Sequence, residues 1–119
     1  VRGTSSRAIV NALRKAGARK ISLLITYPPI KFPCYAGIDF PSQEELATFS
    51  DNKEYSHEEI IEKVRHDIGA DFLGYNDPEN LSNAVGISTN SMCFTCTTGD
   101  YSSLGIKPVF KTREEMKGK

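Results

Sequence analysis

The chain has no apolar run that approaches the length of a membrane span. It also has no net charge, because fifteen Lys and Arg balance fifteen Asp and Glu. No single-sign field therefore favours nucleic acid or an anionic membrane. Cysteine is scarce and odd in number: Cys34, Cys93 and Cys96. That count argues against a secreted disulfide framework and suits a reducing compartment, so a cytoplasmic location is expected. Neither an initiator Met nor a signal-peptide pattern opens the chain. Internal repeats and low-complexity tracts are absent too. What remains is 119 residues, 39% hydrophobic and 25% charged. That is ordinary for a globular chain, long enough for one domain or a piece of one with a modest core.

What is there alternates between helix and strand. Ile9, Ala12, Leu13 and Ala16 fall at helical spacing and predict a helix over 6–16 with one apolar face, stopped by Gly17. The run "KISLLIT", 20–26, reads as a buried strand. Pro28, Pro29 and Pro33 then forbid regular structure, so 27–41 reads as a long, stiff loop. Ser42 with Glu45 forms a capping-box pattern for a short helix, "SQEELA", followed by a polar surface loop over 48–55. Ser56 with Glu59 forms a second capping box. Ile60, Ile61, Val64 and Ile68 mark its helix, which Gly69 ends. "DFLGY" from Asp71 reads as a second strand, and Asp77-Pro78 opens a short helix that Gly86 closes. The alternation predicts an α/β fold with βαβ units, a parallel sheet and ligands at the carboxyl ends of the strands. The expected division is 1–86 for this body and 87–119 for a cysteine-bearing segment and tail.

Two stretches carry chemistry. "RGTSS", 2–6, offers free N–H groups and a positive helix end for an anion. Gly3 allows close approach, Thr4, Ser5 and Ser6 add hydroxyls, and Arg2 or Arg7 could add charge. The plainer alternative is that the hydroxyl residues only cap the helix. No Gly-Lys-Ser/Thr follows, so a Walker-type loop is excluded. The second stretch is Cys93-Phe94-Thr95-Cys96, whose spacing lets both sulfurs reach one metal, with Cys34 in the proline loop as a third candidate. Alternatives are three unrelated small apolar cysteines, or a zinc site completed by His57 or His66. No helical pattern follows the pair, which speaks against a thioredoxin-like redox role. An iron–sulfur cluster needs a fourth ligand that the chain does not obviously supply. No residue reads as a general acid or base, and Asp39 reads as structural.

Together these stretches resemble a known family. "VRGTSSRAIVNALRKAGA", "PPIKFPCYAGID", "EEL", "IGADFLGY" and "CFTCTTGDY" follow one another as in the amidophosphoribosyltransferases, over nearly all of 1–101. The resemblance implies the C-terminal part of a type I phosphoribosyltransferase domain, a mainly parallel sheet flanked by helices. It implies a glycosyltransferase that moves ammonia, released from glutamine by a glutaminase domain of the same parent chain, onto C1 of phosphoribosyl pyrophosphate. Phosphoribosylamine forms and pyrophosphate leaves, in the first committed step of purine synthesis.

The family's phosphoribosyl pyrophosphate loop ends as residues 1–6 do, with Ser5 where the family usually has Thr. Arg2, Gly3, Thr4, Ser5 and Ser6 are thereby implied to bind the 5′-phosphate. The family's two aspartates, which serve the ribose hydroxyls and Mg²⁺, would lie before Val1. In the iron–sulfur branch, cysteines matching Cys34, Cys93 and Cys96 ligate a 4Fe–4S cluster, with the fourth ligand upstream. The glutaminase nucleophile has no counterpart here. The expectation is therefore a fragment of a longer, homo-oligomeric enzyme, poorly stable and inactive alone. A phosphate-binding module without catalysis and a structural zinc domain are the other readings.

Overall fold

The computed structural model describes residues 2–36, 43–49 and 55–107. Val1, Asp39, the Ser42 cap, residues 50–54 of the expected surface loop and the tail from 108 lie outside them. In chain order come α1 (Thr4–Lys15), β1 (Ser22–Ile25), a 3-10 turn at Gln43–Glu45, α2 (His57–Ile68) and β2 (Phe72–Tyr75). Then follow α3 (Pro78–Val85), a 3-10 turn at Thr89–Ser91, one helical turn α4 (Thr95–Thr98) and a last 3-10 turn at Ser102–Leu104. β1 and β2 pair in parallel, Ser22 beside Phe72 and Ile25 beside Tyr75. Parallel neighbours need a crossover, and α2 lies within it.

The punctuation of the sequence decides the helix ends. The Ser56 side chain accepts from Glu59 N at 3.2 Å, and Glu59 accepts from Ser56 N at 2.7 Å, completing the predicted capping box. Gly69 closes α2 in the left-handed conformation, φ 78°, which costs glycine little. Asp77 caps α3, accepting from Asn80 N at 2.8 Å, with Pro78 in the first turn. The predicted helix around Glu45 is only a single 3-10 turn.

Val10, Ile21, Val64, Ile68, Ala70 and Leu73 form the core, and Leu23, Ile25 and Tyr75 pack against it. Both long helices thus cover one face of the two strands. Here the sequence reading needs correction twice. Ile9 and Leu13, part of the apolar stripe predicted for α1, are 56% and 44% exposed. The residue that docks is Val10, about 100° around the helix from Ile9, and the row Gly3, Ser6, Val10, Arg14 faces inward. "KISLLIT" is likewise buried on one side only: Leu24 is 73% exposed, and its neighbour across the sheet, Phe72, 51%. Among the described residues no element covers that second face.

A polar latch secures the same unit. Arg14 donates to the Asp71 carboxylate at 2.6 Å, and Ile21 N donates to the same oxygen at 2.7 Å. The Ile21 N–H, then Arg14, hold the Asp71 carboxyl below its usual range.

Candidate functional site

At the start of α1 the N-cap is Gly3, φ 77°, and no side chain caps the helix. The first helical bond is Arg7 N to Gly3 O at 2.9 Å. The N–H groups of Thr4, Ser5 and Ser6 therefore precede the helical ladder. The plain capping role considered for the hydroxyl residues is not what they do here. Gly3 sits on the core: a Cβ built there would meet Ile68 Cγ2 at 3.5 Å and Ala47 Cβ at 3.7 Å. Gly3 and Ser6 also line a narrow groove with Ile25, Tyr27, Pro28 and Tyr75. "RGTSS" and the proline loop thus meet at the carboxyl ends of both strands, where the alternating pattern places a binding edge.

A wider cleft of about 600 Å³ opens on the other side of Gly3, between α1, the 43–49 turn and α2. Its charges are largely engaged with one another. Arg2 pairs with Glu45 at 2.8 Å, Lys63 with Asp67 at 2.8 Å, and Arg7 Nε donates to Asp67 O at 2.9 Å. An anion at the cradle would have to draw Arg2 from Glu45 to use its charge.

The three cysteines meet in a second place. Cys34 and Cys96 are half-buried, Cys93 is exposed, and all are free thiols. The proline loop is sewn to the Cys93–Cys96 segment through backbone. Lys31 N and Phe32 N both donate to Cys96 O at 2.9 Å. Tyr27 donates to Cys93 O at 2.7 Å, and Tyr101, 2% exposed, donates to Pro33 O. Tyr27 stacks on Phe94 with ring centroids 5.9 Å apart, and Tyr35 meets Tyr101 edge-on at 5.1 Å. Phe32 lies over Gly99, where a Cβ would come within 2.9 Å of its ring.

The acidic groups here also oppose one another's ionisation. Burial pushes the Cys96 thiol up, and the charges of Cys34 and Cys93 push it further. The Thr95 hydroxyl, 3.5 Å from Cys93 Sγ, lowers that thiol. Burial pushes Tyr27 and Tyr101 up to about 12, reinforced by neighbouring cysteines at Tyr27 and by Tyr35 and then the cysteines at Tyr101.

Contrary to the sequence reading, a helical turn does follow Cys93. It is α4, one turn long, closed by Gly99 at φ 77°. The histidines stand apart: His57 Nδ1 lies 3.3 Å from Lys31 Nζ, and the His66 side chain is 84% exposed beside Asp67. Among the described residues no three His, Cys, Asp or Glu side chains converge to hold a single metal ion. Sequence reasoning missed Tyr27, Tyr101 and Phe32. The available signal was that Tyr27 and Phe32 each stand directly before a proline; Tyr101, five positions past Cys96, carries no such signal. It also missed Thr48, expected at the surface but 7% exposed, which donates to Ile30 O at 2.5 Å.

No family model matches the chain. The amidophosphoribosyltransferase of Mycobacterium tuberculosis is 41% identical over 119 residues, all of this chain and 21% of that protein. That of Methanothermobacter thermautotrophicus is 43% identical over 101 residues, 85% of this chain and 20% of that protein. This chain is an amidophosphoribosyltransferase homologue. It spans about a fifth of the length of the curated amidophosphoribosyltransferases it matches. A solved Bacillus subtilis structure, glutamine phosphoribosylpyrophosphate amidotransferase complexed with ADP and GMP, superposes with a TM-score of 0.67 at 40% identity. It covers 85% of this chain and 21% of that one. The α/β fold of parallel strands with flanking helices is shared with that amidophosphoribosyltransferase.

Proposed function

We propose that this chain is part of an amidophosphoribosyltransferase that makes 5-phosphoribosylamine from phosphoribosyl pyrophosphate and glutamine, at the entry to purine synthesis. The observation that carries the reading is the whole-length match, with the uncapped, glycine-led start of α1 at the carboxyl edge of the sheet. Gly3, Thr4, Ser5 and Ser6 hold the 5′-phosphate by N–H and hydroxyl donors, and Arg2 adds charge once released from Glu45. Fixing that phosphate orients the ribose, so that C1 meets ammonia in one geometry. When bound, Mg²⁺ would supply charge neutralisation for the leaving pyrophosphate, and in this reading its ligands and the glutaminase nucleophile belong to other parts of the longer protein.

Cys34, Cys93 and Cys96 would ligate a 4Fe–4S cluster, with a fourth ligand from the rest of that protein. What supports this is that the three thiols are free and that Cys96 feels the charge of both Cys34 and Cys93. Thr97 Oγ1, one residue past Cys96, is buried and makes no hydrogen bond of acceptable geometry, although it lies close enough to Tyr27 to lower that phenol. A sulfur acceptor would satisfy it. When bound, the cluster would supply a redox-sensitive cross-link between the proline loop and the cysteine turn.

Thr4→Ala in the full-length enzyme tests the cradle. One lost charge-assisted hydrogen bond raises the KM for phosphoribosyl pyrophosphate about tenfold, and glutamine hydrolysis stays possible. An unchanged KM would remove Thr4 from the site. Iron and acid-labile sulfide, measured on anaerobically purified protein, test the cluster, and colourless zinc-bound protein would replace it with the structural zinc reading.

A further inference from the structure

We infer that Tyr27 is a positioning residue for the cysteine site, holding the Cys93–Cys96 turn against the carboxyl end of β1. The inference rests on the cluster reading for what the held thiols receive. The holding itself is a property of the metal-free chain.

The foundation is firm where Tyr27 leaves the sheet. Asn76 N donates to Ile25 O at 3.0 Å, and Asn76 Nδ2 donates to Thr26 O at 3.2 Å. The ends of β1 and β2 are thus tied together immediately before Tyr27. From that base the phenol reaches the exposed end of the turn. Its hydroxyl donates to Cys93 O at 2.7 Å, and its ring stacks on Phe94 with centroids 5.9 Å apart.

The two ends of the turn are held differently. Cys96 O is gripped by two loop N–H groups, from Lys31 and Phe32. The Phe94 carbonyl is used inside its own turn, by Thr97 N and Thr98 N at 2.9 Å. The tie from Cys93 to the sheet is the Tyr27 side chain. A tyrosine suits this place because the ring covers apolar surface while its tip keeps a hydrogen-bond partner.

The test uses the full-length protein, stripped of metal by chelation under reductant, with backbone amide hydrogen exchange read by mass spectrometry of its peptides. Tyr27→Phe keeps the ring and loses the hydroxyl. Exchange across 93–98 is expected to quicken about three- to tenfold, the opening that one lost hydrogen bond gives. Exchange across 64–75 and the melting temperature stay where they were. Tyr27→Leu, which also loses the stacking, quickens 93–98 further. Wild-type exchange across 93–98 in Tyr27→Phe would overturn the inference. So would a uniform rise across 64–75 and 93–98 with a fallen melting temperature, since that marks general loosening. A wild-type protein without iron or sulfide would sink the cluster reading, yet the exchange contrast would still decide the role of Tyr27.

Discussion

The helix–sheet half of the chain and its cysteine half are held together by different forces. In the first, Val10, Val64, Ile68 and Leu73 are each 5% exposed or less and share one core. In residues 87–107 only Thr95 and Tyr101 are buried, and the attachment runs through carbonyl oxygens of Pro33, Cys93 and Cys96. Apolar packing is non-directional and tolerates small shifts. Hydrogen bonds to chosen carbonyls fix atoms. A helix start built on packing and a thiol group built on polar stitching should therefore fail in different ways.

The largest expected effect breaks the packed half. Ile68→Ala removes a buried side chain shared by α2 and the floor of Gly3, and should cost about 2–5 kcal/mol in urea denaturation. A loss below about 1 kcal/mol would mean that the core is not where it is described. Next comes Gly99→Ala, which acts on the stitched half. The new Cβ meets the Phe32 ring at 2.9 Å and the backbone stays at φ 77°, for about 1–3 kcal/mol in all. Limited proteolysis should then cut near Cys34 while the α1–β2 unit stays protected. A cleavage pattern like the wild type's would sink the idea that Phe32 docks the loop.

Gly3→Ala sharpens the contrast, because here there is room for the Cβ and only the φ of 77° objects. About 1–2 kcal/mol is expected, with Gly3→Asn recovering part of it because Asn tolerates that conformation better. Equal losses for Ala and Asn in thermal melts would point to sterics instead.

The smallest effect is electrostatic. Asp71 ionises below its usual 3.8 in the folded chain, so its contribution is full above that value and fades as pH falls through the lowered folded pKa. Asp71→Asn should flatten the acid limb of a melting-temperature profile. A wild-type profile in the variant would show that the latch contributes nothing.

The sequence made punctuation legible and orientation not. Ser56, Glu59, Asp77, Pro78, Gly69 and Gly86 announce helix ends through bonds made within a few residues, and the structure uses each one. Which side of α1 turns inward depends instead on partners up to sixty residues away. Arg7 reaches Asp67, and Arg14 reaches Asp71, so Val10 rather than Ile9 and Leu13 meets the core. The site was readable to the same extent. Gly3 and the cysteine spacing stand out locally. The phenols and Phe32 act across the fold through single atoms, and no periodicity records them.

Gly3 carries one consequence further. Its neighbours are Ile68 and Ala47, so the floor of the proposed anion cradle is the hydrophobic core itself. The N–H groups are therefore aligned by folding, and an anion binding there would not have to order them. By linkage, such an anion would also stabilise the fold, by about 2.7 kcal/mol at a hundred times its Kd. For a chain with so modest a core, a ligand held this way would be part of the stability.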